Sequence, residues 1–127
     1  MSVIQVYFDD ELPQMLDIIF GGLNKYTDSE QNNKFEKTDN SIFISHQYNT
    51  TVSYDMEGVT DIVECKFTIS DDKRILMNTR VLLEGIHVME SVNSYDATDR
   101  GNIKHIYNTI MDMRLKNIKK LYPSFKW

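Results

Sequence analysis

The sequence predicts an α+β fold, in which a single antiparallel β-meander of about five strands is packed on one face by two amphipathic helices. Three observations lead to this prediction. Apolar residues recur at helical spacing near both ends of the chain, they alternate with a period of two in its middle, and the alternating stretches are separated by short turns. Consecutive strands of this kind indicate an antiparallel sheet, whereas βαβ units would need helices between them. The 127 residues are expected to form one domain, 1–127.

The N-terminal part is expected to contain a short strand and then a helix. Residues 3–8 are rich in β-branched and aromatic side chains, which is typical of a strand. Asp9 and Asp10 offer helix caps, and apolar residues follow at helical spacing over residues 12–23. Gly21-Gly22 is expected to close this helix.

The middle of the chain is expected to supply the sheet. Residues 25–40 are polar and aperiodic and predict a loop inside the domain. The period of two is clearest over residues 63–69, where Cys65 is in phase with Val63 and Phe67 and is therefore expected to be a buried core thiol. The expected strands are centred on residues 42–44, 52–56, 63–69, 75–83 and 86–88.

A longer second helix is expected from about Asp99 to Leu121, where Pro123 stops it. On a helical wheel its apolar residues cover roughly 200°, which is wider than contact with one sheet requires. Either residues such as Tyr107 form half-exposed edges of the stripe, or the stripe makes a second contact with a partner or another copy.

Arg114 lies near the middle of this apolar arc, where a cation is unexpected. One interpretation is that its stem lies on the core while its guanidinium reaches water or pairs with an acid of the sheet. The other is that it awaits an anion from a partner or a ligand.

Three lysines occupy the opposite face near the end of the same helix. Cations there complement the helix dipole, which alone explains them, but they also suit a partner surface. The predicted partner- or anion-binding residues are Arg114, Tyr107, Lys116, Lys119 and Lys120.

Charge is divided unevenly along the chain, whose net charge is −5. Residues 1–99 carry 18 acidic and seven basic side chains, whereas residues 100–127 carry one acid, Asp112, and seven basic side chains. The acidic body would repel phosphate, so we expect no nucleic-acid binding. The opposite charges of the two parts favour contact between copies, or with a partner that carries both signs.

We expect no enzymatic activity, metal site or cofactor. None of the three histidines lies at helical metal-ligand spacing from another, and no nucleophile elbow or phosphate-binding loop is present. The apolar runs are too short to cross a bilayer, which predicts a cytoplasmic protein, or a virion protein if it is encoded by a phage.

The function that these features favour is a non-enzymatic interaction with other proteins. The residue usage is typical of an AT-rich genome, and we expect a phage or mobile-element origin. Two roles fit: a subunit of a virion or tail assembly, or a small inhibitor or adaptor that docks on a larger host or defence complex. The alternatives are a binder of a small anionic ligand such as a nucleotide, and an inhibitor that mimics nucleic acid.

Overall fold

The computed structural model describes residues 2–22, 33–50 and 58–123. One continuous N-terminal helix consists of α1 (Val3–Val6), a π-helical turn (Tyr7–Glu11) and α2 (Leu12–Ile19). The strands are β1 (Lys34–Lys37), β2 (Ser41–Thr50), β3 (Val59–Ile69), β4 (Arg74–Leu83) and β5 (His87–Asp96), and the chain continues into α3 (Asn102–Leu121).

Within the described residues, the five strands form one antiparallel sheet in meander order, and β1 and β5 are the two edges of this described sheet. Alternate residues of each strand point to opposite faces, and both helices pack on one face, here called the inner face. The predicted α+β fold, with a helix from each end of the chain on the sheet, is confirmed.

The prediction of a strand over residues 3–8 is wrong, because this segment begins the N-terminal helix. The side chain of Ser2 accepts a hydrogen bond from the Gln5 backbone nitrogen at 3.3 Å, so Ser2, rather than Asp9 or Asp10, caps the helix. Tertiary burial outweighs the strand preference of this run. Apart from Tyr7, the buried residues of this helix recur at every fourth position: Ile4, Phe8, Leu12, Leu16 and Phe20.

The four-residue spacing of the buried side chains explains the π-helical turn. Four steps of four residues drift by roughly 160° around an ideal helix, which has 3.6 residues per turn. One wider turn reduces this drift and keeps the buried side chains on the sheet. The helix ends as predicted at the glycine pair, since Gly21 and Gly22 have φ angles of 73° and 105° and the Gly22 nitrogen donates to the Asp17 carbonyl at 2.8 Å.

The predicted loop over residues 25–40 is interrupted by a strand. Residues 34–37 form β1, which pairs with β2, and residues 25–32 lie outside the described part of the chain. The predicted strand over residues 52–56 also lies outside it. The last strand is longer than expected, because β5 continues to Asp96 through a stretch that reads as a polar break.

The main core lies between the inner face and the two helices. Its sheet residues come from alternate positions of β2, β3 and β4, and its α3 residues include Ile106, Ile110 and Met113. Cys65 is fully buried there, as predicted. A smaller cluster of Val59, Leu83 and Ile118 closes the far end of α3.

Candidate functional site

Arg114 is held inside the molecule by a carboxylate of the sheet. Its Nε donates to Asp61 Oδ2 at 2.6 Å and its Nη2 donates to Asp61 Oδ1 at 3.2 Å, which is a two-point contact. Both side chains are almost completely buried. Of the two interpretations of Arg114, the structure shows the one in which it pairs with an acid of the sheet.

An aromatic ring completes this buried pair. The Arg114 guanidinium carbon lies 3.7 Å from the centre of the Tyr48 ring, and the Tyr48 ring contacts the His46 ring edge-on at 4.4 Å between centres. Burial raises the pKa of Tyr48 to about 12, against a smaller opposing effect of the Arg114 charge. The stacked ring covers the guanidinium on one side, so β2, β3 and α3 are joined at a single point.

Asp61 is the residue that the sequence interpretation missed. It lies two positions before Val63 and four before Cys65, so its parity in β3 places it on the inner face. An acid in phase with buried apolar residues requires a buried cation, and Arg114 is the cation on the apolar arc of α3. This signal was present in the sequence.

The predicted site residues do not come together in the structure. Arg114 is buried, whereas Lys116 is exposed and forms an ion pair with Asp112 one turn earlier, 2.8 Å from Nζ to Oδ2. Lys119 and Lys120 are exposed in the last turn of α3, where they complement the helix dipole. Tyr107 lies two turns before Arg114 on nearly the same side of α3, where it lines a groove with Ile18 and Ile19 of the N-terminal helix.

Tyr107 belongs to an exposed apolar surface that spans the two helices. A groove of about 270 Å³ is lined by Ile18, Ile19, Ile103, Lys104 and Tyr107. Ile18 is 70% exposed and also lines the neighbouring groove, together with Met15 and Val3. The interhelical patch is defined here as Val3, Met15, Ile18, Ile19, Ile103 and Tyr107.

The interhelical patch accounts for the excess width of the apolar arc of α3. Ile106 and Ile110 are buried against the sheet, while Tyr107 remains 47% exposed. Polar side chains of both signs border the patch, including Glu11 and Lys104. An apolar centre with a polar border is the composition of protein-binding surfaces.

A second groove runs beside the edge strand β5. It has a volume of about 790 Å³ and lies between α3 and residues 89–91 of the strand. His105 bridges the two elements, because its Nε2 lies 3.1 Å from Asn93 Oδ1. The α3 residues that line it are His105, Asn108, Thr109, Met111, Asp112, Met113, Leu115 and Lys116.

The outer face of the sheet carries a ladder of alternating charges. Glu64, Arg80 and Glu90 stand side by side on β3, β4 and β5. Arg80 contacts both acids, at 3.5 Å to Glu64 and 3.2 Å to Glu90. The positive charge of Arg80 therefore lies between the two carboxylates and offsets one of their two negative charges, so the row is not a continuous acidic stripe.

The chemistry available to the described residues is limited. Burial raises the pKa of the Cys65 thiol to about 12, so this cysteine is not a nucleophile at neutral pH. Within residues 2–22, 33–50 and 58–123, no three His, Cys, Asp or Glu side chains are grouped closely enough to hold a metal ion. No helix in these ranges is long and apolar enough to cross a membrane.

Comparisons of the chain with protein-family models, with curated proteins and with solved structures returned no match.

Proposed function

We propose that this chain functions by binding another protein, and that the interhelical patch is the surface that the partner contacts. The observation that supports this proposal is the exposure of Ile18 and Tyr107 beside one another, on two different helices that line one groove. Singly exposed apolar residues are common on protein surfaces, but a continuous apolar groove is typical of an interaction site.

The composition of the patch supports a protein rather than a small anion as the ligand. Tyrosine and isoleucine side chains bury large areas when a partner covers them, and tyrosine is frequent among the residues that dominate binding energies. Arg114, which was the expected anion-binding residue, already contacts the carboxylate of Asp61. The nucleotide-binding alternative loses its main cation for this reason.

Both proposed roles use such a surface. A virion or tail subunit would pack the interhelical patch against a neighbouring subunit, and an inhibitor or adaptor would dock it on its target. The mixed charges around the patch would set the orientation of either partner.

The test is affinity capture from the cells that naturally produce the chain, with three variants compared to the unmodified protein. Ile18→Asp and Tyr107→Asp place a charge in the patch. Ile86→Asp is the matched control, because Ile86 is 78% exposed in the β4–β5 turn, outside the patch. We expect the unmodified chain and Ile86→Asp to retain the same protein, and both patch variants to lose it while their melting temperatures stay unchanged. Retention by the patch variants, or capture of nothing by the unmodified chain, would contradict the proposal.

A further inference from the structure

The two edges of the sheet are protected to very different degrees. β1 is four residues long and three of them are charged: Lys34, Glu36 and Lys37. Lys37 points to the inner face and pairs with Asp9 of the N-terminal helix at 2.6 Å. Short length and inward-pointing charge are the usual devices that prevent an edge from pairing with another strand.

β5 lacks these devices. It is ten residues long and contains no proline, lysine or arginine. Both acids of β5 already have partners within the chain. Glu90 forms an ion pair with Arg80, and Asp96 accepts a hydrogen bond from the Thr98 hydroxyl at 2.6 Å. Val92 is 67% exposed on its outer face. A long, unprotected edge that bears exposed valine is a template for strand addition.

The position of α3 leaves room at this edge for an added strand and for a helix packed on that strand. α3 contacts both β4 and β5, so we place its axis above the space between them, about one strand spacing, ~4.8 Å, from a two-fold axis set half a spacing outside β5. A two-fold axis at the edge would therefore place two α3 helices roughly 10 Å apart, which is the separation of packed helices. In such a dimer, each copy would fill the groove of about 790 Å³ that lies beside β5 of the other copy.

From these observations we infer that a second copy of this chain covers the edge, through antiparallel pairing of β5 with β5 of the other copy. The product is a two-fold dimer with one continuous ten-stranded sheet and all four terminal helices on one face. This inference goes beyond the proposed function, because it uses a different surface and does not depend on the interhelical patch.

Symmetry restricts the register of this pairing. A two-fold axis perpendicular to the sheet keeps the outer-face residues of both copies on the same face. One residue of β5 must therefore lie directly opposite the same residue of the second copy. Centring on Glu90 would oppose two carboxylates, and centring on Asn93 would oppose Glu90 to Asp96. Centring on Val92 sets valine against valine and places Glu90 opposite Ser94 of the second copy. This register buries the exposed apolar side chain without a like-charge contact.

The side of α3 that overlooks the edge is compatible with a copy of itself. His105, Asp112 and Lys116 lie along this side and provide both charge signs. Contacts of Asn93 with His105 and of the His87 carbonyl with Asn117 place Val92 near the level of residues 107–109. Two antiparallel α3 helices that cross near that level bring His105 of one copy close to Asp112 of the other. Because Asp112 and Lys116 give this side charges of both signs, a copy of the same surface meets no uniform like-charge repulsion, which favours a second copy over an unrelated strand.

The test measures the molar mass of the full chain by light scattering over a concentration series, with valine-to-lysine variants at two matched positions. Val92→Lys puts a charge at the centre of the paired edge. Val3→Lys does the same at an equally exposed valine, 72% exposed, in the interhelical patch. We expect a dimer for the unmodified chain and for Val3→Lys, and a dissociation constant raised roughly 100-fold or more for Val92→Lys.

A cysteine scan tests the register itself. In the proposed dimer, Val92→Cys faces its own copy within disulfide distance, whereas Ser94→Cys is offset from its own copy by four residues along the strands. Cys65 does not interfere because it is buried. We expect oxidation to cross-link Val92→Cys and not Ser94→Cys. A monomer at all concentrations, a dimer that survives Val92→Lys, or cross-linking only through Ser94→Cys would overturn the inference. Retention of the partner by the patch variants Ile18→Asp and Tyr107→Asp, with the dimer intact, would instead count against the proposed function alone.

Discussion

The two halves of helix α3 differ in how completely their side chains are partnered. In the C-terminal half, Arg114 has a carboxylate, an aromatic ring and nearly complete burial. In the N-terminal half, on nearly the same side of the helix, Tyr107 and Ile103 border an open apolar groove beside the N-terminal helix. The unusual residue of this helix, a cation on an apolar arc, thus serves the fold, while an ordinary aromatic residue stays half-exposed beside an open groove.

The difference shows how a helix with too wide an apolar arc is used. The charged pair connects α3 to the middle of the sheet and fixes its position, and polar contacts such as that of the Asn117 amide with the His87 carbonyl, 3.0 Å, hold its far end. Because these contacts fix α3 on the sheet, the surface of α3 next to the N-terminal helix can remain apolar without allowing the helix to pack in several positions.

The largest expected effect comes from breaking the buried pair. Asp61→Ala leaves the Arg114 guanidinium buried without its carboxylate and is expected to lower the free energy of unfolding by about 3–5 kcal/mol. The double variant Asp61→Leu/Arg114→Met removes both charges and is expected to recover most of that loss. Urea unfolding measures both. A double variant that is no more stable than Asp61→Ala would mean that the two residues do not act as a pair.

A smaller loss is expected at the contact between the N-terminal helix and β5. The hydroxyl groups of Tyr7 and Tyr95 are 2.8 Å apart and buried, so Tyr7→Phe leaves the Tyr95 hydroxyl without this partner. We expect a loss of about 1–3 kcal/mol in urea unfolding. Tyr7→Phe should not alter partner capture, since it lies under the patch rather than on it. No measurable loss would show that water satisfies the Tyr95 hydroxyl.

The free energy of unfolding is expected to fall above about pH 9, because burial makes three core side chains hold their protons more strongly in the folded protein. Burial raises the pKa of Cys65 from 9.0 to about 12 and the pKa of Tyr7 and Tyr48 from 10.0 to about 12. In the unfolded chain these groups lose their protons first, so alkaline pH favours unfolding. The urea midpoint should fall between pH 9 and 12, and less steeply in Cys65→Ala. A midpoint constant over this range would contradict the burial of these groups.

The smallest effect is expected at the exposed lysines. The ion pair of Lys116 with Asp112 is a surface contact between residues four apart, so Lys116→Ala should change the free energy of unfolding by about 0.3–0.5 kcal/mol. The matched control is Lys119→Ala, whose residue lies in the last turn. A loss above 1 kcal/mol at either position would indicate a contact that the fold does not explain.

Much of the fold follows from periodicity in the sequence, and the failures have physical causes. Alternation around Cys65 predicts a half-buried strand because the pleat fixes which side chains share a face. The same alternation puts Asp61 on the buried face with Val63 and Cys65. It was not assigned there because acidic residues are usually exposed. Residues 3–8 could not be assigned from propensity, because burial of Ile4 and Phe8 on the sheet decided their conformation.

The candidate site was only partly accessible to such reasoning. Tyr107 could be selected from the width of the apolar arc of α3. Ile18 could not, because the two helices meet only in the folded molecule, and helical spacing alone does not say which apolar residues remain uncovered. The β5 edge was likewise hidden, since strand order is a property of the whole sheet.

The most direct test of the difference between the two halves of α3 is urea unfolding of Arg114→Ala beside Tyr107→Ala. Each variant truncates a long side chain of the same helix. The structure predicts that Arg114→Ala loses about 3–5 kcal/mol, since Asp61 is left buried and unpaired, and that Tyr107→Ala, at a half-exposed position, loses at most about 2 kcal/mol. Equal losses in the two variants, or a larger loss for Tyr107→Ala, would contradict the assignment of Arg114 to the fold and of Tyr107 to a partner.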